Sequence, residues 1–305
     1  MKLRVVQLTC LLGCVFALSA PNAQGAAVES HPHVAVLDFG ETQTGRRAAD
    51  ELSAALANKA KFALVNRAQS RAAARGVGYT GSLNLTLAEA RDLGASIGCD
   101  FYFTGAAQTL RRTASERPDY FESYASIFLV SASTGKLLLW EHFKHESATT
   151  PDEAEKALLA DLCARASRYG EAILKAGEAE RAFTRQRAHE DAAASFEDVP
   201  EEGSSAATNF RAPLPYRSLR PSYPETAARV AAEATVDVLV GVDAAGEVKD
   251  IEVVRWAGYG LNEAVISTVR QLHFRPAMRD GQPMPIRVLL RYNFRRPAEE
   301  VKEKG

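Results

Sequence analysis

Chemistry in this chain would have to come from a few short strings, and each needs a particular local frame. Gly76-Val77-Gly78-Tyr79-Thr80-Gly81 fits G-x-G-x-x-G, whose glycines cradle a pyrophosphate when a strand leads in and a helix leads out. Here the Arg/Ala-rich stretch from Arg67 to Arg75 leads in, so a plain loop is expected. Asp38-Phe39-Gly40 could offer a metal-binding carboxylate for phosphoryl transfer, yet no Gly-rich loop, catalytic loop or strand lysine precedes it. It reads as a strand end. His142 and His145 are three apart on an expected strand, so they face opposite ways and cannot share a metal. His31 and His33 fall near the start of the chain, where weak adventitious metal binding is the most they would give. Cys99 precedes a strand and Cys163 sits on a helix, without a Cys-His partnership that would activate a nucleophile. No catalytic, metal or cofactor-binding residue is assigned, and no cofactor is expected. An enzyme is not the reading.

Composition agrees. The 305 residues carry 37 Lys plus Arg against 38 Asp plus Glu, a net charge of -1. A nucleic-acid partner is therefore not expected, because phosphate binding needs an excess of clustered positive charge. With 46% hydrophobic and 25% charged residues the chain is globular in type, and its length suggests two domains.

Residues 1–25 read as an export signal. Lys2 and Arg4 start it, Val5 to Ala20 is uncharged and apolar, and Ala23-Gln24-Gly25 offers the small residues of a cleavage site. The run is shorter than the ~20 residues of an ordinary membrane span. A retained inner-membrane anchor is the alternative. Leu11-Leu12-Gly13-Cys14 also resembles the lipobox of bacterial lipoproteins, although the apolar residues after Cys14 speak against lipidation. A periplasmic location follows, with mature protein starting near Ala26. In that oxidising compartment Cys99 and Cys163 either form a disulfide or remain two separate thiols.

Residues 32–194 alternate strand and helix patterns. Val34 to Phe39, Phe62 to Val65 and Asp100 to Gln108 read as strands, and Tyr120–Val130 with Leu137–His145 as a hairpin turned by Ser133-Thr134-Gly135-Lys136. Ala48, Ala49, Leu52, Ala55 and Leu56 recur at helical spacing. Thr86 with Glu89 forms a capping box for a helix ended by Gly98, and Thr150-Pro151-Asp152-Glu153 opens a long helix interrupted at Gly170 and Gly177. A mixed-sheet α/β domain is expected. Val34–Phe39, Val65-Asn66-Arg67, Leu93-Gly94, Gly98–Gly105 and Ser133–Lys136 resemble the α/β domain shared by CsgG, LpoB and the TolB N-terminal region. That resemblance implies recognition of envelope proteins, or channel building, without catalysis.

Residues 195–221 turn to Glu, Ser, Pro and Gly and read as a linker. Residues 222–297 then read β-β-α-β, an α+β unit. Val236, Val238, Val240 and Val242 alternate on one strand, and Asp243 to Glu247 is a turn into Val248–Arg255. Leu261, Ala264, Val265, Thr268, Val269 and Leu272 share a helix face. Ile286, Val288, Leu290, Tyr292 and Phe294 share a strand face, with Arg287, Arg291 and Arg295 on the other. If the sheet order is second, first, third strand, Ile286–Phe294 is an edge whose free N–H and C=O groups can accept another chain. The arginines either solubilise that edge or steer a partner to it.

Tyr223-Pro224, the Val-rich strand, Asp243 with Gly246, Leu261-Asn262-Glu263-Ala264, Phe274-Arg275-Pro276-Ala277 and Gly281-Gln282-Pro283 closely resemble the TonB C-terminal domain. The resemblance implies that the last strand pairs with a short segment of an outer-membrane receptor. It places the partner contacts at Tyr223, Pro224, Arg287, Val288, Leu289, Leu290, Arg291 and Tyr292, with Val238, Val240, Leu272, Phe274 and Phe294 as core. A homodimer by strand exchange is a further option. Two features depart from TonB: the apolar start looks cleavable and lacks His, with a folded block in place of the spacer, and Glu233-Ala234 stands where the family often has Gly before the first strand. The expected function is a non-enzymatic periplasmic protein that binds outer-membrane transport receptors. The alternative is an envelope scaffold or activator whose first block engages secretion or cell-wall synthesis proteins.

Overall fold

A computed structural model describes residues 31–58, 61–114, 117–187, 196–201, 203–204 and 207–296. The export segment 1–25, and the stretch 188–194 expected to continue the long helix, lie outside the described residues.

The first block is a five-stranded mixed sheet. In chain order it contains β1 (His33–Val36), α1 (Gln43–Ala57), β2 (Ala63–Leu64), α2 (Arg67–Gly76), β3 (Leu85–Thr86), α3 (Leu87–Ile97), β4 (Phe101–Ala114), β5 (Arg117–Ser131), β6 (Leu137–Ser147) and α4 (Pro151–Arg187). Strands run in the order β2-β1-β4-β5-β6, the first three parallel and the last two antiparallel. Alternation along each strand sends residues to two cores. Val34, Val36, Phe101, Phe103, Ile127 and Leu129 pack with α1 and α4 on one side, whereas Ala35, Leu37, Tyr102, Phe128 and Val130 face the other.

Local signals fix the helix ends. Thr86 accepts from the Glu89 amide at 3.1 Å while Glu89 accepts from the Thr86 amide at 2.7 Å, and Gly98 ends α3 at φ 75°. At α4 only half of the expected box forms. Glu153 donates its amide to Thr150, but its carboxylate turns back to Ser147 Oγ at 2.7 Å and to Thr149. The expected interruptions do not occur, since α4 runs unbroken through Gly170 and Gly177. Gly170 answers to packing, because a Cβ there would lie 3.2 Å from the Phe62 ring. The Arg67–Arg75 stretch is α2, capped by Asn66, and the glycine-rich string after it is a loop.

The remaining elements are β7 (Glu197–Asp198), β8 (Phe210–Arg211), β9 (Leu214–Pro215), α5 (Glu225–Arg229), β10 (Ala234–Val242), β11 (Val248–Trp256), α6 (Leu261–Val269), β12 (Phe274–Arg275), β13 (Ala277–Arg279), β14 (Gln282–Met284) and β15 (Ile286–Phe294). The second sheet runs β3-β11-β10-β15-β7. Val236, Val238, Val240 and Val242 stand opposite Tyr292, Leu290, Val288 and Ile286. Val238, Val240, Leu272, Phe274 and Phe294 are buried, as core residues should be. Gly246 is required by the turn into β11: at φ 86°, an added Cβ would stand 1.9 Å from the Phe274 carbonyl oxygen.

One expectation needs correction. The stretch 195–221 is not a free spacer. Its short strands β7, β8 and β9 pair with β15, β13 and β12, main-chain edges that would otherwise lack partners. Of the two alternatives left open for Cys99 and Cys163, a bridge or separate thiols, the structure has the second. Both are free thiols, Cys99 against the core facing the second sheet and Cys163 on α4 on the opposite side of the first sheet.

The two blocks also share one core, within a single compact unit. Phe128 of β5 stacks on Trp256 (6.1 Å between centroids) and meets Tyr259 edge-on (5.5 Å). Trp256 donates its indole N–H to Gly135 O at 3.0 Å. Gly258 lies so close to Phe128 that a Cβ would come within 2.4 Å of the ring. Asn84 ties the blocks through polar contacts: its Nδ2 donates to Thr235 O (2.8 Å) and Trp256 O (2.7 Å), and its Oδ1 accepts from Thr235 N (3.1 Å).

Candidate functional site

β15 continues the sheet beyond β10 and is paired along its whole length on that side. On the other side, among the described residues, it meets β7 alone, in parallel, at Ile286 opposite Glu197 and Arg287 opposite Asp198. The order second, first, third strand therefore holds, but the edge is not wholly free as the sequence suggested. Val288–Phe294 has no strand on its outer side among the described residues, a length of roughly 23 Å at 3.3 Å per residue.

The candidate side chains divide by face. Val288, Leu290 and Tyr292 turn inward and are half-buried against the core. Arg287, Leu289 and Arg291 turn outward, and Leu289 is 50% exposed. That gives the open length an inner apolar row and an outer row with one exposed leucine. Arg291 has a task that neither sequence reading foresaw. It forms a two-point pair with Asp237 on β10, Nε to Oδ1 at 2.8 Å and Nη2 to Oδ2 at 3.0 Å, and Arg255 adds a contact at 3.4 Å. Asp237 is nearly fully buried, and the Arg291 bond holds its carboxyl below the usual carboxylate range. Arg291 thus keeps a carboxylate satisfied inside the sheet.

Tyr223 and Pro224 stand at the far end of the edge. The Tyr223 hydroxyl donates to Ala232 O at 2.7 Å, and its ring tilts against Phe294 at 6.3 Å. Pro224 begins α5 and packs where a Cβ on Gly260 would lie 3.2 Å from it. Tyr223 thus braces the end of β15, and Pro224 packs toward the turn before α6. The segment Phe196–Val199 borders the opposite end and was missed, since a two-residue strand has no periodicity to read.

These elements bring together the sequence features quoted above: the alternating β10, the Gly246 turn, the α6 face and the Phe274–Ala277 and Gly281–Pro283 strings before an edge strand. Residues 220–295 match the family model of the Gram-negative bacterial TonB protein C-terminal. Among solved structures, the chain is similar to the TonB CTD of Pseudomonas aeruginosa, at 21% identity, TM-score 0.24, over 31% of this chain and 90% of that one. The hypothetical protein CT253 from Chlamydia trachomatis aligns at 12% identity and TM-score 0.33, over 45% of this chain and 95% of its own. The LpoB C-terminal domain from Salmonella enterica aligns at 18% identity and TM-score 0.27, over 40% of this chain and 87% of its own. No curated protein matches the chain.

Elsewhere the candidate groups stay apart. His142 Nδ1 lies 2.9 Å from Ser126 Oγ, whereas His145 Nε2 lies 3.0 Å from Asp161 of α4, on opposite faces of β6. Asp38 pairs with Arg67 at 2.6 Å. Among the described residues no three metal-ligating side chains converge, and no helix is long and apolar enough to cross a membrane.

Proposed function

We propose that this protein is a non-enzymatic, periplasmic binding module that takes up an extended segment of an outer-membrane transport receptor along Val288–Phe294. The observation that carries this reading is the outer side of Val288–Phe294, which has no strand on it among the described residues, within a segment matching the TonB C-terminal model. An incoming strand gains main-chain hydrogen bonds from the edge, and its alternate side chains meet the inner row of Val288, Leu290 and Tyr292. Leu289, Arg291 and Asn293 lie on the outer face of that length, toward the other alternate positions. The shared core supports a fixed platform rather than an arm on a tether. It also keeps the second reading in view, a scaffold whose first block binds a secretion or cell-wall synthesis protein.

The test is an array of N-terminal segments from the outer-membrane receptors of the same bacterium, probed with the chain and with Leu289→Asp. Leu289 is half exposed, so the variant should keep its melting temperature. Expected is retention of a subset of segments, weakened on the order of tenfold by the substitution, about 1.4 kcal/mol. No retention, or equal retention by the variant, overturns the assignment. Light scattering separates this from self-pairing of β15, which would give a dimer.

A further inference from the structure

β15 already accepts a strand from its own chain, and that strand has a place built for it. Glu197 and Asp198 add to the edge at Ile286 and Arg287. Just before them, the far edge of the Phe196 ring sits against Gly241, the residue directly opposite Arg287 on β10. A Cβ at Gly241 would come 2.9 Å from that ring, so the missing side chain there makes the ring's seat. Arg279 of β13 then holds Glu197 at 2.7 Å. Val199, next in line, is 38% exposed and stands where the paired length ends. Three separate features therefore hold one four-residue segment on the strand that the proposed partner would need.

We infer that Phe196–Val199 is an internal competitor for the partner strand. It closes the first two positions of β15, limits uptake to Val288–Phe294, and must be displaced before a longer segment can pair along the whole strand. This rests on the proposed use of the β15 edge. Two pairing positions and one seated ring make a weak hold, so partner and competitor can exchange. Because β8 and β9 pair with β13 and β12 just after it, a displaced segment stays tethered close to its seat. The apparent affinity for a full-length segment is then lowered by the fraction of molecules in which the segment is off.

Peptide length provides the test. A seven-residue peptide from the best-retained receptor segment is compared with versions extended by two residues at either end. Each is titrated into the full chain, Phe196→Ala and Gly241→Val by fluorescence anisotropy. Phe196→Ala removes the ring, and Gly241→Val fills its seat by a different route. Both variants should bind one extended peptide on the order of tenfold more tightly than the unaltered chain, with the seven-residue affinity unchanged. Hydrogen exchange at Ile286 and Arg287 should also quicken in both variants without peptide. Unchanged affinity for every extended peptide, or an equal gain for the short one, overturns the inference and leaves the edge reading standing. If no variant binds any peptide, the edge reading falls and the competitor with it.

Discussion

Asn84 tests whether the two blocks are one cooperative body. Its amide makes three hydrogen bonds to Thr235 and Trp256 across 151 and 172 residues of sequence. Asn84→Ala removes all three and leaves two carbonyls and one amide, partly shielded from water, without that partner. At about 1 kcal/mol of net stability per bond, the loss is about 3 kcal/mol. For a body of this size each kcal/mol moves the melting temperature by about 2–4 °C, so a fall of about 6–12 °C is expected. Asn84→Asp keeps the acceptor for the Thr235 amide but sets a carboxylate oxygen against the Thr235 and Trp256 carbonyls, so it should fall at least as far as Asn84→Ala. Differential scanning calorimetry reads both shifts and the number of transitions. A single transition should appear in the unaltered chain, because Phe128, Trp256 and Tyr259 belong to one core. Two resolved transitions with only one displaced, or a shift under about 1 °C for Asn84→Ala, would refute the reasoning.

Arg291→Met should lower stability at pH 7, because among the described contacts it leaves the Asp237 carboxylate the longer Arg255 one. The folded pKa of Asp237 is depressed, chiefly by the Arg291 bond, so the stability it contributes is present above the unfolded carboxylate range and lost as pH falls through the folded value. Urea titrations should therefore show the gap between unaltered chain and variant shrinking below about pH 4, and a gap constant with pH would contradict this. The thiols should also behave unequally. Burial pushes Cys99 up to about 12, and Cys163 lies more open beside Glu51 on α1, so alkylation mapped by peptide mass should reach Cys163 first. A Cys99–Cys163 disulfide in air-exposed protein would contradict their placement on opposite sides of the sheet.

Much of the fold could be read wherever the cause is local. Thr86 and Glu89 cap α3 within four residues, Gly98 stops it, and the Val236–Val242 alternation marks a strand with one buried face. The string at Phe274–Ala277 has its reason in Gly246, whose turn leaves room only for the Phe274 carbonyl. Readings failed where the cause is distant or the element too short. The α2 residues are mostly Arg and Ala, with little apolar periodicity to mark a helix. Glu197-Asp198 becomes a strand only because β15 offers it an edge. Arg291 looked like a surface charge because Asp237, its partner in the β10 register, precedes it by 54 residues. Asn84 sits in a loop and carries no signal at all until the second block is docked against it.

The most direct measurement of the central claim is amide hydrogen exchange along β15 with and without a captured receptor segment. Protection should rise at alternate amides within Val288–Phe294, the groups with no outer strand among the described residues, and stay unchanged across β4 and β5. Capture without added protection in β15, or with protection confined to α1 and α4, would contradict the account and place the partner on the first block.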